Sequence, residues 1–200
     1  MAHAVPLFNL WPQWAQVFWV SYVAWFLMEM WILRRDRRAA TGEVKDQGSR
    51  ATITLGLWVG LILAFASAYR VSATGIALDA EPLFWSAIAL IWVGMAFRLW
   101  AVLTLGRFFR TSVVVQDDHR LITNGPYRFL RNPSYTGGLV TLIGIGLAMG
   151  NWLSVLFAAG GFLAGFGWRI RVEEQALAAR FGEAWSQYRR RTWAIIPLLW

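Results

Sequence analysis

The chain has 200 residues, of which 58% are hydrophobic and 15% charged, with fourteen tryptophans, no cysteine and a formal net charge of +8. A water-soluble domain of this length has too little interior to hide that much apolar surface, so the composition points to a bilayer. Without cysteine there is neither disulfide nor thiol chemistry, and two distant histidines cannot build a metal site.

In chain order, apolar windows approaching the ~20 residues needed to cross a hydrocarbon core predict spans at 14–33, 51–69, 82–105, 134–149 and 152–168. The predicted fold is all-α, an integral membrane bundle of about five transmembrane helices. The last two spans are short and glycine-rich, joined by a tight turn at Gly150-Asn151. The N-terminus lacks a basic stretch and a small-residue cleavage site, so no cleavable signal peptide is expected. Seventeen of the nineteen Lys and Arg residues fall between spans 1 and 2, between spans 3 and 4, or after span 5. The positive-inside rule then predicts the N-terminus outside and the C-terminus and these loops cytoplasmic, and the arginine-rich, compact chain without a targeting signal reads as a protein of a bacterial inner membrane. Anionic headgroups account for the charge, and no nucleic-acid partner is implied.

The chain reads as a single domain, 1–200, without repeats. Residues 34–50 look like a solvated connector, whereas the loop 106–133 carries apolar residues that a connector would not need. Its "TSVVVQ" (111–116) has strand-like residues, and "GPYRFLRNPSYTGG" (125–138) crowds turn-forming and hydrogen-bonding residues against the start of span 4. In the tail, helical spacing over 168–190 aligns Ile170, Leu177, Phe181, Trp185 and Tyr188, with Gly182 as a break. Arg169 and Glu173, four apart, share roughly that inward face. An inward carboxylate is costly without a partner, and ionisable residues at membrane depth are functional candidates. Arg98, inside span 3, reads either as snorkelling or as a contact to a phosphate or carboxylate. Glu29 reads as a structural partner of Arg34 or Arg35, and the pairs Gly56/Gly60 and Gly161/Gly165 as helix-packing sites. The chain contains no G-x-G-x-x-G or Walker loop.

The two-part pattern "QDDHRLITNGPYRFLRNPSYTGG" and "RIRVEEQALAARFGEAWSQYRRRTWAIIP" resembles the isoprenylcysteine carboxyl methyltransferase family, which is grouped with membrane phospholipid N-methyltransferases. The resemblance covers about 111–197. It implies an S-adenosylmethionine-dependent enzyme, with 1–105 as a helical N-terminal part and 106–200 as a cytoplasmic cofactor-binding and catalytic part ending in an amphipathic helix. Carried over by position, the cofactor residues are Gln116, His119, Arg120, Leu121, Ile122, Tyr127, Asn132, Pro133, Ser134, Tyr135 and Glu173. Arg169 falls on the substrate side, so Arg169 and Glu173 form the catalytic pair. Asn132 stands where the family usually has histidine, which keeps hydrogen bonding but loses a positive charge. Trp185 stands where it has tyrosine.

The implied acceptor is a lipid-like or amphiphilic molecule, most simply a carboxylate, which needs an aligning cation such as Arg169 rather than a base. Three alternatives remain at this point. One is methylation of a phospholipid amine headgroup. Another is an NADPH-dependent sterol-type reductase of similar membrane fold, against which the Glu173-Glu174 pair argues. The third is a membrane protein with a vestigial site. Oligomeric state is open.

Overall fold

The computed structural model describes residues 5–38, 49–109 and 121–197. Five apolar helices make the bundle: α1 (Pro12–Arg38), α2 (Ser49–Arg70), α3 (Ala80–Leu105), α4 (Pro133–Ala148) and α5 (Trp152–Phe181), followed by a short polar helix, α6 (Glu183–Arg190). Among the described residues there is no β-strand, only two isolated bridges. Four helices, α1, α2, α3 and α5, are long and apolar enough to cross a membrane, and α4 is a shorter apolar helix. The chain is thus a multi-pass membrane protein with an all-α fold. Gln116, His119, Arg120 and the strand-like 111–116 lie outside the described residues.

Helix ends follow local chemistry. Pro133 starts α4 at a position where its missing N–H is not needed. Asn151 caps α5, its side chain accepting from the backbone N–H groups of Leu153 (2.9 Å) and Ser154 (3.3 Å). The same Asn151 donates to the Val71 carbonyl (2.8 Å) and ties the α4–α5 turn to the end of α2.

One expectation needs correcting. Span 5 was expected to end at 168, with a separate tail helix beyond it. The helix instead continues unbroken to Phe181. At 30 residues it is about 45 Å long, against about 30 Å of hydrocarbon, so its last turns project past the apolar layer. Hydropathy falls at Arg169, but backbone hydrogen bonding does not depend on hydropathy, so nothing stops the helix there. The break comes at Gly182, whose φ of 52° with ψ of −120° suits glycine alone.

Packing is set by glycine. A Cβ on Gly56 would lie 2.5 Å from the carbonyl oxygen of Gly161, and one on Gly165 would lie 2.8 Å from the Cα of Ile53, so α2 and α5 pack backbone to backbone. The packing role read from the sequence for these glycines holds. The first helix joins α3 through Trp14 stacked on Phe84 at 4.6 Å, and Phe8, in the turn before α1, stacks on Phe18 at 4.2 Å. The outcome at one end of the bundle is that the C-terminal ends of α1, α3 and α5 surround the N-terminal ends of α2 and α4.

Candidate active site

The corner before α4 is a stack of turns. Gly125 takes a φ of 56° and opens a short 3-10 turn, Gly125–Arg128, with Pro126 at its start. The chain then runs beside the C-terminal segment: the Arg131 N–H donates to the Trp193 carbonyl (2.8 Å), that of Asn132 to Ala194 (3.1 Å), and that of Trp193 to Phe129 (3.1 Å). The Thr136 hydroxyl donates to the Ile195 carbonyl at 2.7 Å. Residues 192–197 therefore form a strap that fixes the Asn-Pro-Ser-Tyr corner. Arg131 reinforces it, donating to Glu174 at 2.8 Å and to the carbonyls of Arg189 and Thr192.

The two distant segments meet at Tyr135 and Glu173. The phenol donates to both carboxylate oxygens, at 2.8 and 2.9 Å. Arg169 Nε donates to Oε1 of the same carboxylate at 2.6 Å. Its side chain is 1% exposed and that of Glu173 is 20% exposed. The cost of an inward carboxylate is thus offset by two donors, one of them a cation. Phe166 packs against the Tyr135 ring at 4.5 Å and stacks on Phe162 at 4.0 Å, which holds the phenol in place.

The other expected cofactor residues are distributed unevenly. Asn132, Pro133 and Ser134 adjoin Tyr135 at the corner, with Pro133 and Ser134 buried. Leu121 and Ile122 are half-buried on the segment entering it. The buried hydroxyl of Tyr127 donates to the Ala101 carbonyl at 3.4 Å, and its own carbonyl accepts from Tyr188 at 2.8 Å. Burial pushes the Tyr127 phenol well above its usual pKa, and the neighbouring Tyr135, Tyr188 and Glu173 push in the same direction.

Sequence reasoning missed one network. With Glu29 as its partner, Arg98 does not snorkel but meets a carboxylate, the second of its two readings. Its Nε and Nη2 donate to the two oxygens of Glu29, at 2.6 and 2.8 Å, and Nη1 donates to Ser134. The expected pairing of Glu29 with Arg34 or Arg35 gives way to this one. A lone acid in one apolar span and a lone base in another was the available signal, since each is costly alone.

A cavity of about 190 Å3 lies inside this end of the bundle. Its walls are mostly apolar, Trp25, Leu57, Leu142 and Phe162 among them, and Glu29, Arg98, Tyr135 and Arg169 also reach it. Apolar walls and the polar cluster thus border the same space, an arrangement suited to an amphiphile.

A model of the phospholipid methyltransferase family matches residues 83–184, half of the chain. The chain belongs to that family. Among curated relatives, this family member is 33% identical over 116 residues to the protein-S-isoprenylcysteine O-methyltransferase of Schizosaccharomyces pombe, covering 57% of this chain and 49% of that one. It is 32% identical over 130 residues to the enzyme of the same name in Dictyostelium discoideum, covering 60% and 52%. The chain spans about half the length of these curated relatives. A solved structure described as the eukaryotic intramembrane Ras methyltransferase, isoprenylcysteine carboxyl methyltransferase, superimposes with a TM-score of 0.56 at 26% identity, covering 72% of this chain and 52% of that one. The phospholipid methyltransferase segment begins within α3 and ends within α6, so it contains Arg98, the corner, Arg169 and Glu173.

Proposed function

We propose that this protein is a membrane methyltransferase that uses S-adenosylmethionine to esterify the carboxylate of an amphiphilic acceptor. The observation that carries the reading is the Tyr135–Glu173–Arg169 cluster beside an apolar cavity. The relatives' names, O-methyltransferases of S-isoprenylcysteine, support a carboxylate carried on a long apolar chain.

The residues at the corner suit the proposed cofactor. Asn132 Nδ2 is buried and has no hydrogen-bond partner among the described residues. Such a donor is costly to leave unmet, and an acceptor-bearing ligand would satisfy it. Asn132, Pro133, Ser134, Tyr135 and Glu173 would hold the cofactor, with Leu121, Ile122 and Tyr127 behind them and Gln116, His119 and Arg120 as further candidates. When bound, S-adenosylmethionine supplies an electrophilic methyl group on a positively charged sulfur.

Glu173 places negative charge beside the site of that cation, and Tyr135 and Arg169 keep the carboxylate fixed rather than free to act as an acceptor itself. Arg169 is the cation available to orient an acceptor carboxylate, and its planar guanidinium suits that geometry. A carboxylate needs no base, so positioning and exclusion of water are the main demands on the chain. An ammonium headgroup would meet a buried arginine, which disfavours amine methylation here. The active-site end, rich in arginine, is proposed to face the cytoplasm, and the membrane is proposed to be a bacterial inner membrane. One domain, 1–200, is proposed to carry the whole site.

Calorimetry of the detergent-purified chain with S-adenosylmethionine and with NADPH is the direct test. Binding of the methyl donor alone is expected, and binding of NADPH alone overturns the proposal. With radiolabelled donor and a lipid extract, an ester product releases volatile labelled methanol in mild base. Base-stable label would move the assignment to amine methylation.

A further inference from the structure

We propose that Arg98, oriented by Glu29, is a positioning residue of this site, setting the axial register of α4 and hence the placement of Asn132 and Tyr135. The proposal rests on the methyltransferase reading and adds a residue to it from outside the corner and the tail.

The guanidinium is held on two sides. Glu29 of α1 accepts from Nε and Nη2 in a bidentate pair, at 2.6 and 2.8 Å. Ser134 of α4 accepts from Nη1 through both its carbonyl oxygen (3.0 Å) and its hydroxyl (2.9 Å). Three helices are thereby fixed to one rigid, planar group.

Stability alone does not call for such a pair. Two well-packed apolar side chains in its place would be at least as stable, because both charges pay for leaving water. What an apolar pair could not supply is direction. The need for direction comes from the way α3 and α4 touch. A Cβ on Gly137 would lie 2.6 Å from the backbone nitrogen of Arg98, and one on Gly94 would lie 2.7 Å from the Gly137 carbonyl oxygen. The two backbones thus lie directly against each other here, with the buried side chains of Thr141 and Ile91 beside the contact. Arg98 adds a directional polar hold across that contact, and it grips Ser134, which sits directly between Pro133 and Tyr135. Gly138 leaves room for the Phe162 ring, which a Cβ there would meet at 3.0 Å, while the guanidinium lies in ordinary contact at 3.7 Å.

A shift of α4 by an ångström would break the 2.8 Å contact between Tyr135 and Glu173 and move Asn132 with it. Both Glu29 and Arg98 also line the cavity that Tyr135 and Arg169 reach. The clamp is therefore part of the wall beside the proposed reacting groups, while touching neither substrate nor cofactor in its assigned role.

The test uses the full chain in nanodiscs, with S-adenosylmethionine as the calorimetric probe and thermal melting in parallel. Glu29→Gln keeps the shape and removes the charge, and Arg98→Lys keeps the charge and removes the fork. Asn151→Ala, which removes the α5 cap at the opposite end of the bundle, is the control for general destabilisation. Each clamp variant is expected to weaken donor binding roughly tenfold, the loss typical of a charge-assisted hydrogen bond. The control is expected to melt earlier with its affinity within about twofold of the original. Unchanged affinity in Glu29→Gln, beside an unaltered chain that binds, overturns the positioning role alone, and this holds even if Arg98→Lys fails to fold. Failure of the unaltered chain to bind overturns the methyltransferase reading and this inference with it.

Discussion

Tyr135 and Glu173 are 38 positions apart, yet the phenol lies 2.8 Å from one carboxylate oxygen and 2.9 Å from the other. One comes from the first turn of α4 and the other from the projecting part of α5. The contact exists because the strap 192–197 presses the corner onto α5 and because α5 does not end at the membrane surface. Arg169 completes the cluster from one turn earlier on the same helix.

That arrangement separates two roles by mutation. Glu173→Gln removes the negative charge but can still accept from Tyr135, so S-adenosylmethionine affinity is expected to fall roughly tenfold with the fold intact. Arg169→Ala is expected to leave donor affinity nearly unchanged and to abolish turnover. Arg169→Lys, which keeps the charge, guards against loss of folding. It should reduce the rate on the order of a hundredfold through lost alignment. Calorimetry and single-turnover methyl transfer read the two effects separately, and the opposite pattern would reverse the roles assigned here.

Two adjacent glycines in α5 should behave in opposite ways. A Cβ on Gly161 would meet the backbone of Gly56 and Gly60 on α2, where nothing flexible can yield, whereas one on Gly160 meets nothing within 4 Å. Alanine at either position gains about 1 kcal/mol of helix propensity. For Gly161→Ala the overpacking cost, about 1–3 kcal/mol, is expected to exceed that gain, so the variant melts earlier. Gly160→Ala is expected to melt at the same temperature or later. Detergent thermal shift assays on the two variants decide the point.

Much of this organisation was legible in the residues. The five apolar windows were readable because a bilayer imposes length and hydropathy together. The inward face shared by Arg169 and Glu173 was readable because helical spacing puts i and i+4 side by side. The break at Gly182 was readable too, but the continuity of the last span with the tail was not, because hydropathy reports the solvent and not where backbone hydrogen bonds stop. The Glu29–Arg98 pair was hidden for a different reason. Its members are 69 positions apart, and nearer arginines offered Glu29 a local partner. The cavity has no sequence signature at all, being the space left between helices whose packing glycines decide how closely they approach.

Alkaline pH should loosen the corner. The Tyr188 hydroxyl on α6 donates to the carbonyls of Tyr127 (2.8 Å) and Leu130 (3.3 Å), joining the tail to the turn before α4. Burial raises its pKa above the ordinary phenol value, with Arg131 opposing only in part, and burial also raises that of Tyr127. A phenolate cannot donate these bonds, so the folded state holds its protons more tightly than the unfolded chain, in which the pKa is about 10. The stabilisation is therefore complete below about pH 10 and is lost as pH rises through the higher folded values. The melting temperature should be level from neutral pH to about pH 10 as far as these groups decide it, and then fall. Tyr188→Phe removes one titrating hydroxyl and its hydrogen bonds, at a cost of about 0.5–1.5 kcal/mol. The variant should melt earlier at neutral pH yet show a shallower alkaline decline, so the two melting curves converge as pH rises. Parallel curves would mean that Tyr188 does not carry the alkaline sensitivity.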